Sequence, residues 1–263
     1  MITDTLSPRS APPRFDRATV VGVGFDVCDY DSVVAWLGDS AYASETARYV
    51  CVSNVADVMD AKKDTSYASA LAASALTVPD GAPVVWAMRK AGWPIRKRVY
   101  GPTLMERALE SDALAERRHV LIGGSTAGRD GVRRRFPEVN WVGELDFRYD
   151  QLDDAALAEL ANQYAGLQPD YAWVSLGGGK QVRFMHRFAP LAPPSVLLGV
   201  GAAFDFHAGL TRQAPRWMQE GGLEWLFRLG VEPRRLWRRY LLHNPPFLYH
   251  WAREAVRPSQ PKR

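Results

Sequence analysis

The feature that most narrows the folds open to this chain is a recurring unit: a short apolar run, a turn of Gly, Ser, Asn or Asp, then a segment of helical spacing. Residues 48–52, 76–79, 119–122, 171–176 and 195–200 are such runs, and residues 19–23 read as another strand. The runs break in turn into Ser53 and Asn54, into Asp80 and Gly81, into Gly123, Gly124 and Ser125, into a loop from Gly177 and Gly178 to Lys180 and Gln181, and into Gly201. Helical patterns occupy residues 31–37, 56–63, 82–90, 129–136 and 153–164, with Asp29 or Asp31 placed to cap the first and Asn54 the second. Strands that stay apolar along their length and alternate with helices need a sheet covered on both faces. The pattern therefore predicts an α/β fold, a Rossmann-like and mainly parallel sheet covered by helices. Ligands of such sheets bind beyond the carboxyl ends of the strands. The turn residues just named are accordingly the candidate site.

Composition removes several classes. The chain of 263 residues is 47% hydrophobic and 24% charged, enough apolar material for one large domain with an appendage. The cysteines, Cys28 and Cys51, are too few for a disulfide framework and lack zinc-site spacing, and the five histidines show no ligand pairing, so no metal site is expected. The longest nearly apolar stretch, residues 192–204, contains two prolines and falls short of the ~20 residues of a spanning helix. Residues 1–17, with Asp4, Pro8, Pro12 and Pro13 and no apolar centre, read as a flexible cytoplasmic leader and not as a secretory signal.

Charge divides the chain unevenly. Residues 205–263 hold eleven Lys or Arg against five Asp or Glu, together with four of the nine Trp, while the rest is slightly acidic. We expect a catalytic core over residues 18–206 and a basic, aromatic appendage over residues 207–263. In the helix opened by Pro233, Leu236, Trp237, Tyr240 and Leu241 share one sector and Arg234, Arg235, Arg238 and Arg239 the opposite one. That is the pattern of a basic amphipathic helix at an anionic membrane surface.

Known motifs fit poorly. The turn at Gly123 has the spacing of a P-loop, but Arg129 and Asp130 stand where Lys and Ser or Thr would be, and no GxG opening supports a nicotinamide cofactor. Asp29 and Asp31 match a short acidic pattern that holds nucleotide diphosphates through a metal, yet their place at a helix start reads better as capping. Asp80, at the tip of a buried strand, faces either its own turn or a ligand; with Ser53 and Asn54 at a neighbouring strand end it becomes a base for a hydroxyl. Another nucleotide-binding enzyme, or a non-catalytic polyanion or membrane binder, remain the alternatives.

Longer strings are more specific. The run from Val78 through Pro79, Asp80 and Gly81 to Trp86, followed by Arg98, Val99, Tyr100, Gly101, Pro102 and Thr103 to Met105, resembles a signature segment of the WecG/TagA/CpsF bacterial glycosyltransferases. So do residues 199–209, 214–218, 222–229 and 232–241, and the resemblance covers residues 20–250. It implies an inverting transferase that needs neither metal nor cofactor. Such an enzyme moves a hexose of glucose or N-acetylmannosamine type from a UDP-sugar to an undecaprenyl-diphosphate-linked saccharide, in surface or exopolysaccharide synthesis at the cytoplasmic membrane face. By motif, Asp80 is the catalytic base, Ser53 and Asn54 lie at the acceptor side, and residues 177–181 form a loop at the nucleotide. Gly179 and Val182 depart from the family's usual Pro and Glu in that loop, which leaves the donor sugar open. Chemistry adds that Arg234, Arg235 and Arg238 suit a polyprenyl diphosphate acceptor, and that Gly123, Gly124, Ser125 and Gly201 can present amides to the donor. Nucleic acid is not an expected partner.

Overall fold

The computed structural model describes residues 15–40, 44–212, 214, 215, 218, 224–231 and 233–255, apart from the side chains of residues 40, 224, 225, 228, 233–236, 238–241 and 255. Most of the leader and the side chains of Arg234, Arg235, Arg238 and Arg239 lie outside the described residues.

The apolar runs become β3 (Arg48–Ser53), β4 (Leu76–Pro79), β5 (His119–Gly123), β7 (Tyr171–Ser175) and β8 (Val196–Gly199). With β6 (Trp141–Leu145) they form a six-stranded sheet in the order β4-β3-β8-β7-β5-β6, and every neighbouring pair is parallel. All six carboxyl ends therefore open onto one edge. Strands β5 and β8 are buried from end to end, and β7 is buried up to its last residue, Ser175, as their apolar character requires.

Helices cover both faces. Against one pack α2 (Val55–Lys63), α3 (Thr65–Ala72), α4 (Ala82–Lys90), α7 (Asp154–Leu167) and α8 (Gly178–Phe188). Against the other pack α1 (Tyr30–Ser40), α5 (Gly101–Leu109), α6 (Thr126–Arg135) and α9 (Ala203–His207). The structure is thus a Rossmann-like α/β fold.

Two expectations are corrected. Residues 19–23 are not one strand: Val21 and Gly22, at φ of 50° and 83°, make a turn between β1 (Arg17–Val20) and β2 (Val23–Asp26), a separate antiparallel hairpin. Residues 177–181 are not a loop, because α8 begins at Gly178 and carries Lys180 and Gln181 on its first turn.

Beyond α9 lie α10 (Glu224–Val231) and α11 (Pro233–Ala255), the latter continuing through Pro245 and Pro246. The C-terminal half of α11 packs on the core. Phe247 is fully buried in the cluster that contains α2 and α4, and the Trp251 ring lies 4.3 Å from that of Trp86. The Val21 N–H donates to the Glu254 carboxylate at 2.9 Å. Among the described residues, no helix is long and apolar enough to cross a membrane.

Candidate active site

The strand order sets the carboxyl-edge residues in a row: Asp80 after β4, Ser53 and Asn54 at the end of β3, Gly201 after β8, Gly177 and Gly178 after β7, and Gly123, Gly124 and Ser125 at the end of β5. Four strand spacings separate the ends of this row, about 19 Å at ~4.8 Å each.

At the β4 end, the Asp80 N–H donates to the Ser53 carbonyl at 2.8 Å, which joins the two strand ends. The half-buried Asp80 carboxylate lies 3.4 Å from the Arg98 guanidinium. Arg98 in turn sits over the Tyr100 ring, 4.6 Å from its centroid. The Val99 N–H donates to the Pro79 carbonyl at 2.8 Å, so backbone pairing brings residue 98 to the strand tip. Tyr30 completes this corner. Its hydroxyl accepts from the Tyr100 N–H at 3.0 Å, and its phenol is pushed up chiefly by burial, with the Asp80 charge acting in the same sense. The sequence marks Arg98 only within the family signature and assigns neither it nor Tyr30 a role, since an Arg in a basic run reads as a solvated charge; the Arg-Val-Tyr-Gly string after the Asp-Gly turn was the available signal.

Ser53 is fully buried, and its hydroxyl has no hydrogen-bond partner among the described residues. Leaving such a group unpaired costs about 1–3 kcal/mol, a cost that a bound polar group removes. Asn54 caps α2: its Oδ1 accepts from the Ala56 N–H at 2.9 Å, and its own N–H donates to Asp57 at 2.8 Å. A Cβ built on Gly81 would lie 3.8 Å from that of Asn54, so the two turns are in contact.

The middle of the row is open. Gly177, Gly178 and Gly201 have φ of 69°, 51° and 61°, and a Cβ on any of them would meet nothing within 4 Å. Gln181 is buried, and its Oε1 accepts from the Gly201 N–H at 3.1 Å, tying α8 to the β8 end. The Ser175 hydroxyl donates to the Gly201 carbonyl at 2.6 Å. Lys180 is exposed, its ammonium 5.4 Å from the centroid of the Tyr149 ring.

The β5 end is closed by side chains of α6 and α9. A Cβ on Gly124 would stand 2.6 Å from the Phe204 ring, and Ser125 caps α6 by accepting from the Gly128 N–H at 3.0 Å. The Arg129 guanidinium, 2% exposed, donates to the carbonyls of Gly123 and Gly124 at 3.1 and 2.9 Å and pairs with Glu144 and Asp146. The pattern placed Arg129 on an ordinary helix face and did not mark it as buried.

Other candidates fall away from this edge. Asp29 accepts from the Ser32 N–H at 2.9 Å, and Asp31 pairs with Arg107 at 3.0 Å. Burial pushes the Cys28 and Cys51 thiols up, so both behave as packed apolar groups. Clefts of about 420 and 440 Å³ lie beside the β1–β2 hairpin and between α1 and α5.

The fold is that of a Rossmann-like α/β enzyme, a class that binds its ligands at the carboxyl edge of the sheet, where this chain gathers an arginine-paired carboxylate, a buried hydroxyl and open glycine turns. The Glycosyl transferase WecG/TagA/CpsF family matches residues 18–261, and the chain belongs to it. It is a glycosyltransferase. Similar relatives are N-acetylglucosaminyldiphosphoundecaprenol N-acetyl-beta-D-mannosaminyltransferases. That of Bacillus subtilis is 31% identical over 68% of this chain and 69% of its own, and that of Bacillus spizizenii 28% over 80% and 81%. That of Staphylococcus aureus is 23% identical over 95% of this chain and 96% of its own.

Proposed function

We propose that this chain transfers a hexose of the N-acetylmannosamine type from a UDP-sugar to a saccharide carried on undecaprenyl diphosphate, inverting the anomeric carbon without a metal ion. One observation carries the reading: the Asp80 carboxylate at the carboxyl end of β4, beside Arg98 and joined through backbone to Ser53. The relatives' names supply the lipid-linked acceptor, and they favour N-acetylmannosamine over glucose as the sugar.

Asp80 takes the proton of the acceptor hydroxyl as that oxygen attacks the anomeric carbon. The bond from that carbon to the diphosphate oxygen breaks, UDP leaves with the electron pair, and Asp80 returns its proton to solvent. Cations stabilise the charge that develops on the leaving diphosphate. Arg98 stands beside the base, and Arg234, Arg235 and Arg238 belong to the helix whose other half is docked on the core.

The direction of α11 supports that role. It packs along α2, and its Glu254 end meets Val21, which shares a cleft with Ala61 and Lys62 at the C-terminal end of α2. The Pro233 end thus extends toward the N-terminal end of α2, where Asn54 sits. Ser53 and Asn54 receive the acceptor. The donor lies along Gly201, Gly177, Gly178, Lys180 and Gln181 and ends short of Gly123, Gly124 and Ser125, where Phe204 and Arg129 close the β5 end. The exposed Trp237, Leu242, Leu248 and Tyr249 of α11 support a peripheral position on an anionic membrane surface, at the cytoplasmic face where nucleotide sugars are made.

The test is a screen of UDP-N-acetylmannosamine, its uronate and UDP-glucose against a short-chain lipid-diphosphate N-acetylglucosamine, with products read by mass spectrometry. A product heavier by one N-acetylhexosamine from the first donor is expected. A glucose adduct alone would overturn the sugar assignment, and no product from any donor would overturn the substrate class.

A further inference from the structure

The α4–α5 connection carries charge that the reaction as proposed does not use. Arg89, Lys90, Arg96, Lys97 and Arg98 fall within ten positions, and no Asp or Glu occurs between positions 81 and 105. Two of the five are committed: the Arg89 guanidinium donates to the Ile95 carbonyl at 2.8 Å, and Arg98 pairs with Asp80. Lys90, Arg96 and Lys97 are exposed, and no hydrogen bond or ion pair engages them among the described residues.

This is not a loose charged loop. The Trp93 N–H donates to the Met88 carbonyl, Ile95 is 5% exposed in the core, and Val99 is tied to Pro79. Arg96 and Lys97 are thereby held beside the β4 edge of the sheet, Lys97 next in sequence to the arginine that pairs with Asp80, and Lys90 at the C-terminal end of α4. Trp86 stands one helical turn before Lys90 on the same face of α4, is 39% exposed, and meets the Trp251 ring of α11. The basic strip is therefore continuous with the exposed Trp86, with the half-buried Trp251 against it, and with the helix that bears Leu248 and Tyr249, both about half exposed.

We infer that the α4–α5 connection of the core, through Lys90, Arg96 and Lys97 with Trp86 beside them, is a second contact for an anionic lipid surface, separate from the basic half of α11. Cations on an anchored connection next to the exposed Trp86 indole match a layer of phosphate headgroups over acyl chains. A single-stranded nucleic acid would stack its bases on open ring faces, but the Trp86 and Trp251 rings pack on each other, 4.3 Å apart and tilted by 48°. The inference rests on the lipid-linked acceptor reading.

The test compares full-length protein with the Lys90→Gln, Arg96→Gln, Lys97→Gln triple variant by co-sedimentation with vesicles of phosphatidylglycerol and phosphatidylcholine. At about 1 kcal/mol for each cation, partitioning should fall about a hundred-fold at low salt, with an unchanged melting temperature. Turnover on a water-soluble short-chain acceptor should be unaffected, and turnover on vesicle-embedded acceptor should fall. Equal vesicle binding by the two proteins would overturn the inference, as would loss of RNA binding in place of vesicle binding. Wild-type protein that partitions on these charges yet transfers no sugar would count against the proposed reaction and not against this surface.

Discussion

His119 offers a test of the fold that can be worked from geometry to a number. It opens β5 and is 1% exposed. The Trp173 indole N–H donates to its Nδ1 at 3.2 Å, its Nε2 lies 3.2 Å from the Leu114 carbonyl, and its ring stacks on Tyr171 at 5.4 Å. These partners fit a neutral ring with the proton on Nε2, and burial above all holds its pKa down, to about 4 from the ordinary 6.5. The unfolded chain thus takes up a proton near pH 6.5 that the folded chain refuses until about pH 4, so stability falls as pH drops through that window. The separation corresponds to ~3 kcal/mol. Burial also lowers the pKa of His207, which adds to the loss. Asp26, raised by burial, binds its proton more readily when folded and offsets part of the loss above pH 3.8. His119→Gln keeps a donor for Leu114 but abandons Trp173, which should cost about 1–2 kcal/mol at alkaline pH. In exchange it should flatten the acid limb. Urea unfolding of both proteins across the window is the assay. Parallel acid limbs would refute the assignment of this pH dependence to His119.

Phe247→Ala should destabilise the protein by about 3–5 kcal/mol in urea, because the ring is fully buried against the core, and should open the region around residues 233–255 to limited proteolysis. Gly124→Ala should cost about 2–3 kcal/mol, from a Cβ 2.6 Å from the Phe204 ring at a φ of 70°, measured as a fall in melting temperature. Transfer should survive EDTA, since Asp29 is held by Ser32 and Asp31 by Arg107; loss of activity restored by Mg²⁺ or Mn²⁺ would return that acidic pair to the donor site.

How much of this was legible follows from where the signal lay. β3, β4, β5, β7 and β8 announced themselves because both of their faces are buried, and α4 spans Ala82–Lys90 as its spacing predicts. β6 gave no such signal: it is an edge strand, half-exposed over most of its length, with Gly143 and Glu144 inside it. The turn at Val21 was hidden because a β-branched residue rarely adopts positive φ, and here neighbouring structure, including the Glu254 carboxylate, holds it there. At the site, Asp80, Ser53 and Asn54 could be placed at adjacent strand ends from sequence, because parallel strands put every such turn on one edge. Arg98 and the burial of Arg129 could not be, since which of many arginines turns inward is decided by tertiary pairing with Asp80, Glu144 and Asp146.

In the proposed reaction Asp80 is the base that activates the acceptor. Its most direct test is the transfer rate of Asp80→Asn on a short-chain lipid-diphosphate acceptor, measured beside UDP-sugar affinity by calorimetry. The amide keeps the shape of the side chain but cannot take the acceptor's proton, so kcat should fall by about 10²–10⁴ while donor affinity and melting temperature stay near those of the unaltered protein. Turnover within a few-fold of the unaltered enzyme, with donor binding intact, would contradict the claim.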